Sequence, residues 1–254
     1  LNQSAMVDSI GGKTALVTGG SSRIGRVICR RLAKEGVNVV VHYNSSMDEA
    51  LKLRDELIRL GVKAWAIRAD LARPSEVMGL VDEAFRQAGE VNYLVNNASV
   101  FPRVSIRNVN FDDLNLVTQV NAWAPLMLSL RFSQMVKEGK IVNVIDSIVD
   151  GYNFERYPYY LSKVMLTAVT RSLALRLAPG ITVNAVAPGI ILPAADEDEG
   201  KVNSMVNQVP LRRRGTPEDV AEAVVFLLKS SYITGQVIYV DGGEHLKPRV
   251  VYDE

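Results

Sequence analysis

The chain predicts an open, doubly wound α/β parallel sheet of about seven strands with helices on both faces. Three observations carry that expectation. Seven short apolar runs, rich in β-branched residues, recur along the 254 residues, and amphipathic helical patterns lie between them. Glycines, prolines and polar residues cluster where each run ends. Runs that are apolar almost throughout belong to strands covered on both faces. Strand–helix alternation over a whole chain builds a parallel sheet, whose ligands bind beyond the carboxyl ends of the strands.

The runs are "TALVTGG" (14–20), "VNVVVHY" (37–43), "AWAIRAD" (64–70), "NYLVNNA" (92–98), "KIVNVID" (140–146), "ITVNAVA" (181–187) and "QVIYVDGG" (236–243). After the first, Ile24, Val27, Ile28 and Leu32 mark one helical face, Arg26, Arg30 and Lys34 point elsewhere, and Gly36 reads as the stop. Further amphipathic segments fall near 47–60, 75–88, 112–136, 157–178 and 217–229. No composition shift, repeat or low-complexity tract divides the chain. Residues 13–243 are therefore expected to form one domain, with an N-terminal extension (1–12) and a C-terminal tail (244–254). Leu1 to Ala5, which precede Met6, read as an expression remnant.

Composition excludes several functions. A hydrophobic fraction of 48% with 22% charged residues suits a buried core. The formal net charge of +1 leaves no basic footprint for nucleic acid. The single cysteine, Cys29, allows no internal disulfide and reads as a small buried hydrophobe. That usage fits a reducing compartment, so a cytoplasmic location is expected. No apolar run approaches the ~20 residues of a membrane span. The opening "LNQSAMVDSI" is neither basic nor apolar enough for a signal peptide. No metal site is expected.

The first strand end, "TGGSSRIG" (18–25), runs from strand to helix. Glycines let the backbone turn tightly and approach a diphosphate, and a helix N-terminus supplies unpaired N–H groups. The spacing resembles the T-G-x-x-x-G-x-G of short-chain dehydrogenases/reductases, with Arg23 in place of the second glycine. Five further stretches extend the likeness in order from about 13 to 243. They are "NNAS" (96–99), where N-N-A-G is usual, "VNAWAP" (120–125), "YYLSK" (159–163) and "PGI" (188–190) followed by "YVDGG" (239–243). The resemblance implies a Rossmann-type fold with a nicotinamide dinucleotide along the strand ends. Its contacts would be Gly19, Ser21, Ile24 and Gly25 in the loop, Asp70 and Leu71 after the third strand, Asn97, Ala98 and Ser99 after the fourth, and Pro188 and Gly189 after the sixth. Asp70 would meet the adenine amino group, although a helix N-cap explains an aspartate there almost as well.

An NAD site of this type usually ends its second strand with an acidic residue that holds the ribose 2′-hydroxyl. Here that end reads His42, Tyr43, Asn44, Ser45 and Ser46, with no carboxylate. Hydroxyl and amide donors suit a 2′-phosphate, which a carboxylate would repel. Arg23 can stack on the adenine or reach that phosphate. NADP(H) is the expected cofactor.

Four tyrosines precede Lys163: Tyr152, Tyr157, Tyr159 and Tyr160. Helical spacing brings Lys163 to Tyr159 at i, i+4 or Tyr160 at i, i+3 and leaves both open. The family pattern Y-x-x-x-K favours Tyr159. Its usual serine partner lies thirteen residues earlier, which here is Asp146. Counting from Tyr160 restores a serine, Ser147, but makes the lysine motif one residue short. The expected catalytic set is Asp146, Tyr159 and Lys163, with Asn121 ordering a water. Lys163, as a nearby cation, is expected to favour tyrosinate, while an ionised Asp146 opposes it.

Arg23, "HYNSS", "NNASVF" and an aspartate before Y-x-x-x-K occur together, as in the pteridine reductases. That likeness implies NADPH-dependent reduction of a dihydropterin, with dihydrofolate as a further substrate. Ser99 and Phe101 would flank the pterin, Asp146 and Tyr159 would meet its edge, and Leu192 would lie in the substrate loop. Arg103 reads either as a solvated charge or as a phosphate contact. The acidic run Asp196 to Glu199 reads as a solvated, mobile loop face and argues against polyglutamate tails. By analogy a homotetramer is expected. The competing readings are a carbonyl or 3-oxoacyl-thioester reductase and, from another class, a non-catalytic NADP(H) sensor.

Overall fold

A computed structural model describes residues 9–193, 199–207, 209–247 and 249–253. Strands β1 (Thr14–Val17), β2 (Asn38–Tyr43), β3 (Ala64–Arg68), β4 (Tyr93–Asn96), β5 (Gly139–Val144), β7 (Ile181–Pro188) and β8 (Val237–Val240) form one sheet. Its order is β3-β2-β1-β4-β5-β7-β8, with every pairing parallel. The chain leaves β1 in one direction and returns to β4 on its other side. The strand ends beside β1 and β4 are therefore the switch point at which such sheets open a crevice.

Side chains alternate between two apolar layers, as the two-residue period of a strand requires. Val39 and Val41 face α1 (Arg23–Lys34), α2 (Met47–Arg59) and α8 (Pro217–Lys229), where Ile28, Leu32, Leu53, Leu57, Val224 and Leu228 are buried. Leu16, Val40, Leu94 and Ile141 face the other way. They pack against α3 (Pro74–Ala88), α5 (Ala124–Met135) and α6 (Tyr157–Leu177), through Leu80, Val81, Leu128, Phe132 and Leu173. Each fully buried side chain of this size stabilises by about 1.5–3 kcal/mol. Behind the crevice a polar line crosses the core. Asn96 Nδ2 donates to Asn143 Oδ1 at 2.8 Å, and Asn143 Nδ2 donates to Thr170 Oγ1 on α6 at 2.9 Å. This buried line of hydrogen bonds fixes α6 against β4 and β5, although Asn96 Oδ1 is itself buried without a partner among the described residues.

Three features differ from the sequence expectation. The segment near 112–136 is two helices, α4 (Phe111–Thr118) and α5, joined through a π-turn at Gln119–Trp123. Pro125 has no N–H to give the carbonyl of Asn121, and Ala124 N bonds back to Gln119 O, five residues earlier. The stretch following the sixth strand of the sheet contains a helix, α7 (Glu199–Val206), where only a loop was expected. Residues 194–198, which hold most of the acidic run, lie outside the described residues. Finally, the C-terminal tail is not a loose end. Its strand β9 (Val250–Val251) pairs in parallel with β6 (Tyr152–Asn153), in the segment between β5 and α6. Two-residue strands carry no periodicity to read.

The tail crosses directly over Gly151, where an added Cβ would lie 2.1 Å from Arg249 O. Tyr152 N donates to Arg249 O at 2.9 Å and Phe154 N to Val251 O at 2.8 Å. Gly151→Ala is expected to lift the tail and cost about 1–3 kcal/mol. Hydrogen exchange checks this: the amides of Tyr152 and Phe154 should exchange at least ten-fold faster while β5 stays protected.

Candidate active site

The ends of β1, β2, β3, β4, β5 and β7 open into one cleft of about 770 Å³. Of the site residues expected from the sequence, all but Asn121 line it. The cleft has two halves, built on different physics.

The first half is a backbone cradle. Thr18 Oγ1 accepts from the amides of Asn97 (2.9 Å) and Ala98 (3.0 Å), which joins the end of β1 to the end of β4. Asn97 Nδ2 donates to the carbonyls of Thr18 (3.0 Å) and Gly19 (3.1 Å). Gly19 sits at φ +60°, and a Cβ there would come 2.9 Å from Ala98 Cα. A Cβ on Gly25 would come 2.1 Å from Gly19 O and 2.6 Å from Asn97 Nδ2. No side chain fits at either place, so the loop lies flat before the N-terminus of α1. A phosphate meets backbone N–H groups and the positive end of the helix there.

His42 lines this half but offers it no free nitrogen. Nδ1 accepts from Gly19 N at 3.0 Å, which leaves Nε2–H to donate to Ala69 O at 3.0 Å. Burial holds the imidazole pKa down to about 4, so the ring is neutral. His42, expected as a cofactor contact, lines the cleft and pins the glycine loop to the residue just beyond β3. Arg23 takes φ +48°, a conformation that costs a non-glycine residue of order 1–2 kcal/mol and explains the family's glycine here. Its guanidinium donates to Pro193 O at 2.8 Å, tying the start of α1 to the loop after β7. Ser21 and Ser46 hydroxyls hydrogen-bond at 2.8 Å beside exposed Asn44 and Ser45. No acidic residue stands among them. Tyr43 is buried, with its ring in the core. This donor set fits a 2′-phosphorylated nucleotide.

Asp70 does not cap a helix. α3 begins at Pro74, with Arg73 at the cap position, and Asp70 Oδ1 accepts from Ala72 N at 3.0 Å in a local turn. Its other oxygen, Oδ2, lies 3.4 Å from Arg73 Nε at the rim of the cleft. Leu71, Ser99, Pro188, Gly189 and Leu192 complete the walls. Arg103 is exposed, lies outside the cleft and pairs with Glu155, as a solvated loop charge would.

The second half is buried and charged. Tyr159 Oη donates to Asp146 Oδ2 at 2.7 Å, while Asp146 Oδ1 accepts from Ile148 N at 2.9 Å. Tyr160 turns away into a half-exposed ring cluster with Tyr152 and Tyr157, outside the cleft. Burial raises the Asp146 carboxyl, a rise only partly offset by the Ile148 amide, the Tyr159 hydroxyl, Lys163 and Arg249. Burial also raises the Tyr159 phenol well above its ordinary value, and the Asp146 charge adds to this. Burial and Asp146 outweigh the lowering expected from Lys163, whose Nζ lies 5.5 Å from the Tyr159 ring centroid. Lys163 Nζ donates to Val144 O at 2.9 Å, and burial lowers its pKa to about 8.

Asn121 departs from its expected place. Its side chain accepts from Val100 N (2.8 Å) and donates to Val100 O (2.9 Å) and Ser162 Oγ (3.0 Å). These bonds commit the amide to holding the loop after β4 against α6, away from the cleft. That loop carries Phe101, whose ring lies 4.3 Å from Tyr159, nearly perpendicular to it. The Arg156 guanidinium sits 4.1 Å over the Phe101 ring and donates to Phe101 O at 2.7 Å.

Sequence reasoning missed Thr18, Arg156, Glu244 and Arg249. Thr18 was legible as the first letter of the glycine motif. The last two come from the tail, whose path no local pattern announces. Both line the cleft, and Ser147 Oγ donates to Glu244 Oε2 at 3.3 Å.

Residues 19–245 match the family model described as enoyl-(acyl carrier protein) reductase. A 3-oxoacyl-[acyl-carrier-protein] reductase, FabG, of Staphylococcus epidermidis is 37% identical over 243 residues, covering 92% of this chain and 99% of its own. The crystal structure of FolM alternative dihydrofolate reductase 1 from Brucella suis, in complex with NADP, superposes with a TM-score of 0.89. It is 33% identical and covers 96% of this chain and 98% of its own. A blue fluorescent protein from a metagenomic library, in complex with NADPH, has a TM-score of 0.87. It is 35% identical, with 93% of this chain and 99% of its own covered.

The two adjacent tyrosines separate cleanly in this geometry. Tyr159→Phe is expected to lower kcat with NADPH by about 10²–10⁴-fold, the usual share of a positioned acid. Tyr160→Phe should stay within about three-fold, because its hydroxyl lies outside the cleft. Steady-state rates of the two variants check this, and equal losses would contradict the assignment.

Proposed function

The chain is an NADP(H)-dependent oxidoreductase of the short-chain dehydrogenase/reductase family, and within that family we propose that it reduces a C=N bond of a pteridine ring. One observation carries the proposal: a buried carboxyl, Asp146, stands 2.7 Å from the acid Tyr159 where the family usually has serine. A carbonyl reductase needs a single proton donor for an alkoxide, and serine and tyrosine hydroxyls suffice. Reduction at C=N ends on a basic nitrogen. A carboxyl whose pKa is raised by burial can hold a proton for it.

The cofactor supplies hydride to the ring carbon when bound. Gly19, Ser21, Ile24 and Gly25 would hold its diphosphate at the start of α1, and Arg23, Asn44, Ser45 and Ser46 would meet its 2′-phosphate. Lys163 serves the nicotinamide ribose. On taking up a proton, Asp146 would reverse the hydrogen bond seen in the structure, in which Tyr159 Oη donates to it, and so free the Tyr159 O–H for the ring nitrogen. As that proton leaves, Tyr159 takes the one from Asp146, and Asp146 is reprotonated from water. The raised pKa of Tyr159 keeps the phenol protonated between turnovers. Phe101, stiffened by Arg156, offers an aromatic surface for a flat heterocycle, with Ser99 and Leu192 beside it.

The likeness to FolM alternative dihydrofolate reductase 1 supports this reading. The likeness to FabG favours a second one, reduction of a 3-oxoacyl thioester, in which Asp146 would merely position Tyr159. By family analogy the enzyme works as a homotetramer in the cytoplasm, with residues 13–243 as its reductase domain. Among the described residues no helix is long and apolar enough to cross a membrane.

Oxidation of NADPH and of NADH with dihydrobiopterin, dihydrofolate and a 3-oxoacyl thioester tests the proposal. Dihydrobiopterin with NADPH should give the highest kcat/KM, by at least ten-fold over the thioester. Turnover confined to the thioester would sink the pteridine reading.

A further inference from the structure

We infer that the C-terminal tail is the specificity element of the cleft: Glu244 and Arg249 together receive one edge of a planar lactam, an N–H on the carboxylate and a C=O on the guanidinium. This rests on the pteridine reading and names the residues that would select such a ring.

Both side chains line the cleft on the wall that also carries Asp146 and Ser147. The end of β7 is shaped to admit them. A Cβ on Gly189 would lie 2.8 Å from Glu244 Oε2 and 2.7 Å from Asp241 Cβ, so glycine makes the room that the carboxylate fills. Ser147 Oγ donates to Glu244 Oε2 at 3.3 Å, and Arg249 Nη2 meets Glu244 Oε1 at 3.3 Å. That ion pair is a single, long contact, whereas a paired carboxylate and guanidinium normally close two bonds at about 2.7–2.9 Å. Arg249 Nε is enclosed without an acceptor in the described structure. Hydrogen-bonding capacity therefore remains on both partners.

The wall is also held in place. Asp241 accepts from the amides of Gly243 (2.9 Å) and His245 (2.7 Å), which shapes the turn before the tail. Tyr152 and Phe154 amides hold the backbone of Arg249 and Val251. The Tyr252 ring packs 5.9 Å from Phe154, and Arg107 pairs with Asp253 at 3.1 Å. Charges on so fixed a wall discriminate by what they would lose. A ring edge with alternating donors and acceptors satisfies them, whereas the methylenes of an acyl chain would leave them desolvated and unpaired.

The test compares wild type, Glu244→Gln, Glu244→Asp and Arg249→Met in NADPH oxidation, with dihydrobiopterin and with a 3-oxoacyl thioester. Glu244→Gln and Arg249→Met should raise KM for dihydrobiopterin at least ten-fold with kcat within three-fold, and change the thioester KM less than two-fold. Glu244→Asp, which keeps the charge, should recover part of the affinity. An unchanged KM, or equal changes with both substrates, overturns the inference while leaving the pteridine reading intact. Wild type that reduces the thioester but not dihydrobiopterin overturns both.

Discussion

The site depends on one contact, the hydrogen bond from the Tyr159 phenol to the Asp146 carboxyl inside a buried wall. Neither group behaves there as it does in water. Burial raises both, and each charge on one opposes a charge on the other. Lys163, buried and turned to Val144 O, partly offsets the rise of Asp146. Beside a phenol, a carboxyl held above its ordinary range suits the proposed reduction at nitrogen.

Everything around that contact serves to hold two polar surfaces at a fixed separation. The Asn96–Asn143–Thr170 line fixes α6, and with it Tyr159 and Lys163, against β4 and β5. Asn121 fixes the loop after β4, and with it Phe101, against the same helix. Thr18, Asn97 and His42 spend their hydrogen bonds on the glycine loop. These residues bond the backbone, so the cradle is rigid before any phosphate arrives, which lowers the ordering cost of binding. The tail closes the remaining side with the Glu244–Arg249 pair.

Much of this was legible in the sequence. All seven strands of the sheet stand where the β-branched runs place them, because a strand buried on both faces has no other composition. The glycine motif, the absent carboxylate after β2 and the choice of NADP(H) were equally readable, since each depends on residues adjacent in the chain. Less legible were side chains that act on something distant. His42 read as a cofactor contact and lines the cleft, but its ring nitrogens are spent on Gly19 and Ala69, which lie on other elements. Asn121 looked like part of the proton path, yet the π-turn before Pro125 directs its amide at Val100. The tail was opaque because two-residue strands and a ring stack leave no periodic trace.

The measurement that bears most directly on this account is the effect of Asp146→Ser on two substrates of the same enzyme. Serine restores the residue that the family usually places there and removes the stored proton while keeping a hydroxyl beside Tyr159. The account predicts that kcat/KM for dihydrobiopterin falls by about 10²–10⁴-fold, while that for a 3-oxoacyl thioester stays within about ten-fold. Equal losses on both substrates, or an unchanged rate with dihydrobiopterin, would contradict it.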